Sequence, residues 1–378
     1  MGDDTDEGYE SIVSSTSGQS CTTWAGIQGT LADPREKESK EEVIAKIDAL
    51  YESGVPFFTK RAIRALSDQL KTKTTPGDKI VTEDLTGASI EWKVKIGKSI
   101  ELIFGEDCPE NRKECVYSEA GVGYRSRSML KQSLDWYGVE DTAYEPLSLT
   151  YRICRLDPNS KTRETIPDDL ENIKDRETVT KDFQEKFQVW EESETCAHFK
   201  SILSSEVSGH EINKIVGLAC GSLALPNNEQ ATNQTAVLVS VRNWLKEREK
   251  KDDISCYIQD PMNTSVDREV LTDIGFEMID DPRGWLEIDE RSVVLSVAPN
   301  VPVKEIIADT ARPAVVIWNR VPDEDTDSTD PDTARVREMM AGYKLHEFGD
   351  EERWADVAIY TRESKVAPVP RADGMFQN

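Results

Sequence analysis

The sequence predicts an α/β protein: a mostly parallel sheet in its second half, closed by a C-terminal antiparallel hairpin and preceded by a smaller α+β module. Three observations carry this. From about residue 181 to 319, short apolar runs alternate with helical patterns, the mark of β-α-β units in a parallel sheet covered on both faces. After the last of them, YKLHEFGDEERWADVAIYTRE reads as two strands joined by a charged turn. Ahead of the alternating region, two helical patterns are followed by isolated strand patterns instead.

The composition limits what such a chain does. Of 378 residues, 37% are hydrophobic and 31% charged, so the apolar residues are concentrated in some segments and other segments are left without a core. Acids outnumber bases 72 to 46, a net charge of −26. A chain this acidic repels a phosphate backbone or an anionic bilayer, which argues against nucleic-acid and membrane partners. Seven cysteines, none in a CxxC pair, and three histidines fit no metal pattern and read as reduced thiols of an intracellular protein. The start, MGDDTDEGYE, lacks the apolar core of a signal peptide, and no apolar run is long enough to span a bilayer. A cytoplasmic or nuclear location is expected.

Residues 1–40 form an acidic tail rich in Ser, Thr, Gly, Asp and Glu, expected to be disordered. Residues 41–156 are the small α+β module. In it KEEVIAKIDALYESG places Val43, Ile44, Ile47, Leu50 and Tyr51 on one helical face, and Gly54 ends the run. Thr59 is positioned to cap a second helix, TKRAIRALSDQL. SIEWKVKI and PLSLTYRICRL read as strands, and the polar DCPENRKE separates ELIF from VYSEAGVGY. Residues 157–180 are a charged linker. The main domain, 181–365, opens with a long helical pattern over 181–204 and continues with strands at 214–219, 255–259, 277–279, 292–298 and 314–318. Helices fall between most of them, at 230–245, 266–274 and 303–309. The acidic loop VPDEDTDSTDPD is expected to be solvated, a helix TARVREMMAG follows it, and 366–378 is a flexible tail. This is a Rossmann-like pattern, and five crossover strands with a terminal hairpin is also the strand count of class I methyltransferases.

In such sheets ligands bind outside the carboxyl ends of the strands. The first strand ends in KIVGLACGSLALP, where Gly217, Gly221 and Ser222 permit a close backbone approach at a helix N-terminus. They form neither a G-x-G-x-x-G nor a Walker motif, because Ala219 and Ala224 stand where later glycines belong and no lysine follows. A ligand cradle and a turn that only packs both remain open. Cys220 lies in the same turn, either activated by the helix N-terminus or simply a small buried thiol. Asp260, in IQDP, is placed to accept from ribose hydroxyls or, equally, to start a turn. Pro299 and Asn300 end the fourth strand and Asn319 the fifth, completing a candidate crevice. His198, His210 and His346 read as structural or surface residues, and Asp280 and Asp281 as part of an ordinary DDPRG turn.

Taken together, IVGLACGSL, the helix led by Gln234, IQDP, LTDIGFEMIDDP, VVLSVAPNVPV and VVIWN resemble the SRR-like domain family, named for a plant regulator of sensitivity to red light. The segments DDPRGWLEIDE and SVAPNVPVKEIIADTARP resemble its fungal branch. The resemblance implies a regulatory role; relatives are associated with circadian timing and haem metabolism. Two departures stand out: Gly217-Leu218-Ala219 replaces a Gly-Leu-Gly turn, and Pro299-Asn300 replaces a Pro-His. The leading expectation is therefore a regulatory or scaffold protein with protein partners, tuned by a small ligand if any. The second is an enzyme or sensor of an adenosyl or nucleotide compound, with haem a further ligand class. In that case Gly217, Gly221 and Ser222 hold the ligand backbone, Asp260 the ribose, and Asn300 and Asn319 the reacting end. Neither reading identifies a cofactor, a metal or a catalytic residue.

Overall fold

A computed structural model describes residues 11–14, 23–26, 29–32, 37–104, 112–156, 165–166, 173–207, 209–250, 254–349, 354 and 356–363. Three short strands come first: β1 (Ser11–Ser14), β2 (Thr23–Gly26) and β3 (Thr30–Leu31). They lie within the forty residues expected to be disordered; residues 1–10, 15–22, 27–28 and 33–36 of that tail, residues 157–164 and 167–172 of the linker, and 364–378 lie outside the described residues.

Helix α1 (Lys40–Glu52) starts where its chemistry directs. Ser39 accepts from the Glu42 N–H and Glu42 returns the bond to the Ser39 N–H at 2.7 Å, a reciprocal cap. Val43, Ile47 and Tyr51, four apart, form its buried stripe. Thr59 caps α2 (Lys60–Thr72) as its sequence position predicts, accepting from the Ala62 N–H at 3.1 Å. Strands β4 (Lys79–Glu83) and β5 (Ser89–Lys93) pair antiparallel with β3 at the other edge of β5. A second sheet is built on β6 (Ser99–Phe104), β7 (Arg112–Tyr124) and β8 (Leu147–Leu156), with β1 and β2 at its edges and β9 (Thr165–Ile166) added to β8. Helix α3 (Arg127–Tyr137), between β7 and β8, escapes the sequence reading because only Leu130 and Leu134 are buried in it.

The single helical pattern over 181–204 is two helices, α4 (Arg176–Glu191) and α5 (Glu194–Glu206). Ser193 interrupts them by accepting from the Cys196 N–H at 3.1 Å, so the chain starts a new helix instead of extending the old one. Beyond it the alternation follows closely. Strand β10 (Lys214–Leu218) leads to α6 (Glu229–Glu249), β11 (Ser255–Gln259) to α7 (Ser265–Asp273), and β12 (Glu277–Met278) to α8 (Arg283–Glu287). Strand β13 (Ser292–Ser296) leads to α9 (Val303–Thr310), and β14 (Val315–Asn319) to α10 (Ala334–Met340). The hairpin is β15 (Tyr343–Glu347) and β16 (Val357–Arg362).

The sheet order is β12-β11-β10-β13-β14-β16-β15. The first five strands are parallel, and β16 runs antiparallel to both β14 and β15. Strand order reverses between β10 and β13, which sets the switch point beside the turn that follows β10. Alternate residues serve two cores. Ile215, Val293, Leu295, Val315 and Ile317 pack with α4, α5, α6 and α7, while Val216, Leu218, Val294, Val316 and Trp318 face the other way.

That second face explains the N-terminal module. Helices α8, α9 and α10 are five, eight and seven residues long, too short to shield it alone. One continuous core runs from the sheet through Ile306, Ile307 and Met339 to Val43, Ile47, Phe58, Ile63 and Trp92 of the module. Every residue from Val303 to Asp309 is consequently buried, including Lys304, Glu305 and Asp309. The DDPRG segment belongs to the same junction and is no ordinary turn. Asp280 is exposed, but Asp281 accepts from Tyr124 Oη at 2.7 Å, Gln259 Nε2 at 2.8 Å and Trp285 Nε1 at 3.3 Å, linking module to domain.

Candidate functional site

The chain leaves β10 through two left-handed residues, Ala219 (φ 52°) and Gly221 (φ 77°). Gly221 is required there: its φ disfavours any side chain, and an added Cβ would lie 3.2 Å from the Ala231 Cβ. Gly217 has a different constraint. A Cβ on it would come 2.7 Å from Leu238 Cδ1 and 2.9 Å from Cys220 Sγ. Its smallness lets α6 seat on the strand, which is packing and not ligand approach. Cys220 is buried in that contact, and burial pushes its thiol well above the ordinary value, the opposite of activation.

The polar groups of the turn are spent on the chain itself. Asp260, just past β11, accepts from the Gly221 N–H at 2.6 Å on one oxygen and from the Met262 N–H at 2.8 Å on the other. The second bond is an Asx-turn, so the turn-starting alternative for Asp260 is realised. Burial raises its pKa despite these donors. Ser222 points inward and donates to Asp267 Oδ2 at 2.6 Å.

Asp267 is the organiser that sequence reasoning missed. It is fully buried and its Oδ1 accepts from the Leu223 and Ala224 N–H groups at 2.7 and 3.1 Å. Its Oδ2 also accepts from the Thr264 N–H at 2.7 Å and the Thr264 hydroxyl at 2.8 Å. A signal existed: Thr264-x-x-Asp267 is a reciprocal helix cap at the start of α7, and the same carboxylate reaches across to the first turn. Asn228 adds a bond from Nδ2 to the Leu223 carbonyl, tightening residues 222–228 further.

Across the switch point, Gln230 Nε2 donates to the Val297 carbonyl at 3.3 Å and bridges the β10 and β13 ends. Asn319 Oδ1 accepts from the Ala298 N–H at 2.8 Å, holding that left-handed residue (φ 49°) and Pro299 beside it. Pro299 is buried, whereas Asn300 stands exposed. The structure thus brings Gly217, Cys220, Gly221, Ser222 and Asp260 into one cluster, and Pro299 and Asn319 into another.

The second cluster borders a cavity of about 360 Å3, which also touches Lys304, Arg320, Thr326, Asp330 and Asp332. Here the acidic loop departs from expectation. Its exposed stretch ends at Thr329, and Asp330 and Asp332 are buried because Lys304 supplies the base that the loop lacks. Lys304 Nζ lies 2.5 Å from Asp332 Oδ1 and 3.9 Å from Asp330 Oδ2, and its backbone N–H donates to Asp330 at 2.8 Å. Burial still lifts Asp330 to about 7.

Among the described residues, no group of three or more His, Cys, Asp or Glu side chains could hold a metal. The rings of His198 and His210 face the Glu347 and Arg362 carbonyls, and that of His346 faces the Thr361 hydroxyl. No helix among the described residues is long and apolar enough to cross a membrane.

A seven-stranded, mostly parallel sheet with its first turn beside a switch point defines a Rossmann-like α/β domain. The SRR1 domain model matches residues 176–364, from the first residue of α4 through the hairpin. The chain belongs to the SRR1 domain family. No curated protein matches it.

Buried acids make the stability of the protein depend on pH in a definite direction. Burial raises Glu145 to about 8, Glu305 to about 8 and Asp281 to about 6, alongside Asp330. Arg125 beside Glu145, and Arg335 beside Glu305, only partly oppose this, while Asp309 and Asp330 reinforce it at Glu305. Since the folded pKa values exceed the unfolded ones, this contribution is complete below the unfolded values and is lost as pH rises through about 6 to 8. Tm should therefore fall between about pH 5.5 and pH 8.5, by roughly 1–2 °C for each 1 kcal/mol lost. In Glu305→Gln the fall should be shallower, and scanning calorimetry showing identical slopes would remove Glu305 from the account.

Proposed function

We propose that this protein is a regulatory or scaffold member of the SRR1 domain family, of fungal type, acting in the cytoplasm or nucleus through protein partners. One observation carries the reading. The turn that would cradle a ligand is closed by its own side chains, with Asp260 committed to Gly221 and Met262, and Ser222 to Asp267. The net charge of −26 favours basic protein surfaces as partners.

A second reading, a sensor or enzyme for an adenosyl or nucleotide compound, is supported by the switch point and by the 360 Å3 cavity at the ends of β13 and β14. A thermal-shift panel of adenosyl, nicotinamide, adenine-nucleotide and haem compounds separates the two. A ligand present at about 100 times its Kd adds roughly 2.7 kcal/mol to the native state. The regulatory reading expects no such shift. A hit lost in Asn300→Ala, an exposed site whose change leaves the unliganded Tm alone, would put the ligand reading first.

A further inference from the structure

Six large hydrophobic side chains are exposed among the described residues, and three fall within one tetrapeptide, Trp136, Tyr137 and Val139. Trp136 and Tyr137 are 68% and 67% exposed, at the end of α3, with their rings edge to face at 6.4 Å. Leu130 and Leu134 fasten the helix to the core, so this aromatic pair stands on a fixed element.

The pair does not stand alone. Gln132, one turn before Trp136 on the same helix face, donates from Nε2 to Asp327 Oδ1 at 2.7 Å. Asp327 belongs to the loop after β14, whose residues 322–325 and 327–329 are exposed and whose stretch 321–332 contains no base. The contact lays that acidic strap of the SRR1 domain beside the aromatic ledge of the N-terminal module. Asp135 and Asp141 are exposed on the helix side but already engaged, Asp135 by Lys40 and Asp141 by the Leu31 N–H at 3.2 Å, so the strap carries the acceptors.

We propose that this composite surface docks a basic partner segment, one in which arginines or lysines alternate with apolar residues. The inference rests on the protein-partner reading and locates it. Exposed indole and phenol faces receive guanidinium groups by cation–π stacking, and adjacent carboxylates accept their N–H forks. A second copy of the chain fits poorly, because two such faces bring acid against acid. Anionic membranes are disfavoured for the same reason.

The test uses the full chain and a fluorescein-labelled synthetic peptide alternating arginine and leucine, with a glutamate-for-arginine analogue as the control. Fluorescence anisotropy should show binding of the arginine peptide alone. The double variant Trp136→Ser/Tyr137→Ser retains every charge and touches only exposed side chains, so its Tm should stay at the wild-type value. Its affinity should drop about tenfold or more, as for an aromatic anchor. Asp323→Asn/Glu324→Gln should weaken binding separately. Equal affinity in the Trp136/Tyr137 variant would mean diffuse charge attraction and would sink this surface, while leaving the protein-partner reading to the ligand panel. The surface would also be overturned by Trp136-dependent dimerisation in sedimentation, by binding of zwitterionic vesicles, or by no binding of the arginine peptide.

Discussion

Replacing Asp267 with alanine should cost on the order of 4 kcal/mol of unfolding free energy, among the largest effects of any single change in the domain. The side chain is fully buried and takes hydrogen bonds from Ser222, Leu223, Ala224 and, twice, Thr264. Alanine leaves the Ser222 and Leu223 donors without an acceptor in the buried turn and frees both donors of the half-buried Thr264, while the Ala224 N–H keeps Ser222 Oγ at 3.1 Å. Each orphaned donor costs about 1–3 kcal/mol, and the sum falls short of additive because the loop can relax. Asp267→Asn should lie between, since its amide oxygen still accepts on one side while its NH2 confronts donors on the other. Urea denaturation measures both. Hydrogen exchange should also accelerate at Leu223, Ala224 and Thr264 in the alanine variant before global unfolding. A loss below about 1 kcal/mol would show that the turn after β10 holds its shape without this carboxylate.

Asp309→Ala should lose about 3 kcal/mol, and should do so by uncoupling the two halves of the chain. Asp309 Oδ2 accepts from the Phe57 and Phe58 N–H groups of the N-terminal module at 2.6 and 3.1 Å. Its other oxygen pairs with Arg335 at 3.1 Å. Arg335 in turn donates to the Tyr51 carbonyl at 2.6 Å and stacks on the Tyr51 ring at 4.1 Å. Burial raises the Asp309 pKa, and Arg335 and the two backbone donors draw it back. Removing the carboxylate leaves a guanidinium half-stranded and two amides unpaired within the shared core. Unfolding should broaden into two transitions by calorimetry, and limited proteolysis should reach the segment between α1 and α2 first. A single sharp transition at wild-type Tm would show that module and domain stay joined without this carboxylate.

Both variants probe features that local pattern reading conveys unevenly. The helix start at Thr59, the succession of strands from β10 to β14 along the chain, and the closing hairpin are legible because capping and period-two or 3.6-residue spacing are properties of neighbouring residues. The turn at Gly217–Ser222 is located the same way. What its groups do is not legible, because Asp267 is 45 residues from Ser222 and its partnership arises only when the N-terminus of α7 meets the turn after β10. Ser193 shows the opposite error: a continuous apolar pattern hides a cap that divides one helix into two.

The sequence by itself determined the SRR1-type domain, its strand sequence and the acidic character that directs attention to basic partners. Tertiary structure alone decided that the N-terminal module shares the domain's core, and that VKEIIAD is buried despite three charged residues. It also decided that the polar ends of β10 and β11 satisfy one another. The physical reason is common to all three. Local chemistry sets backbone conformation, but burial and the partner of each buried polar group depend on elements far away in the chain, and the low-dielectric interior forces those groups to pair wherever the fold brings them together.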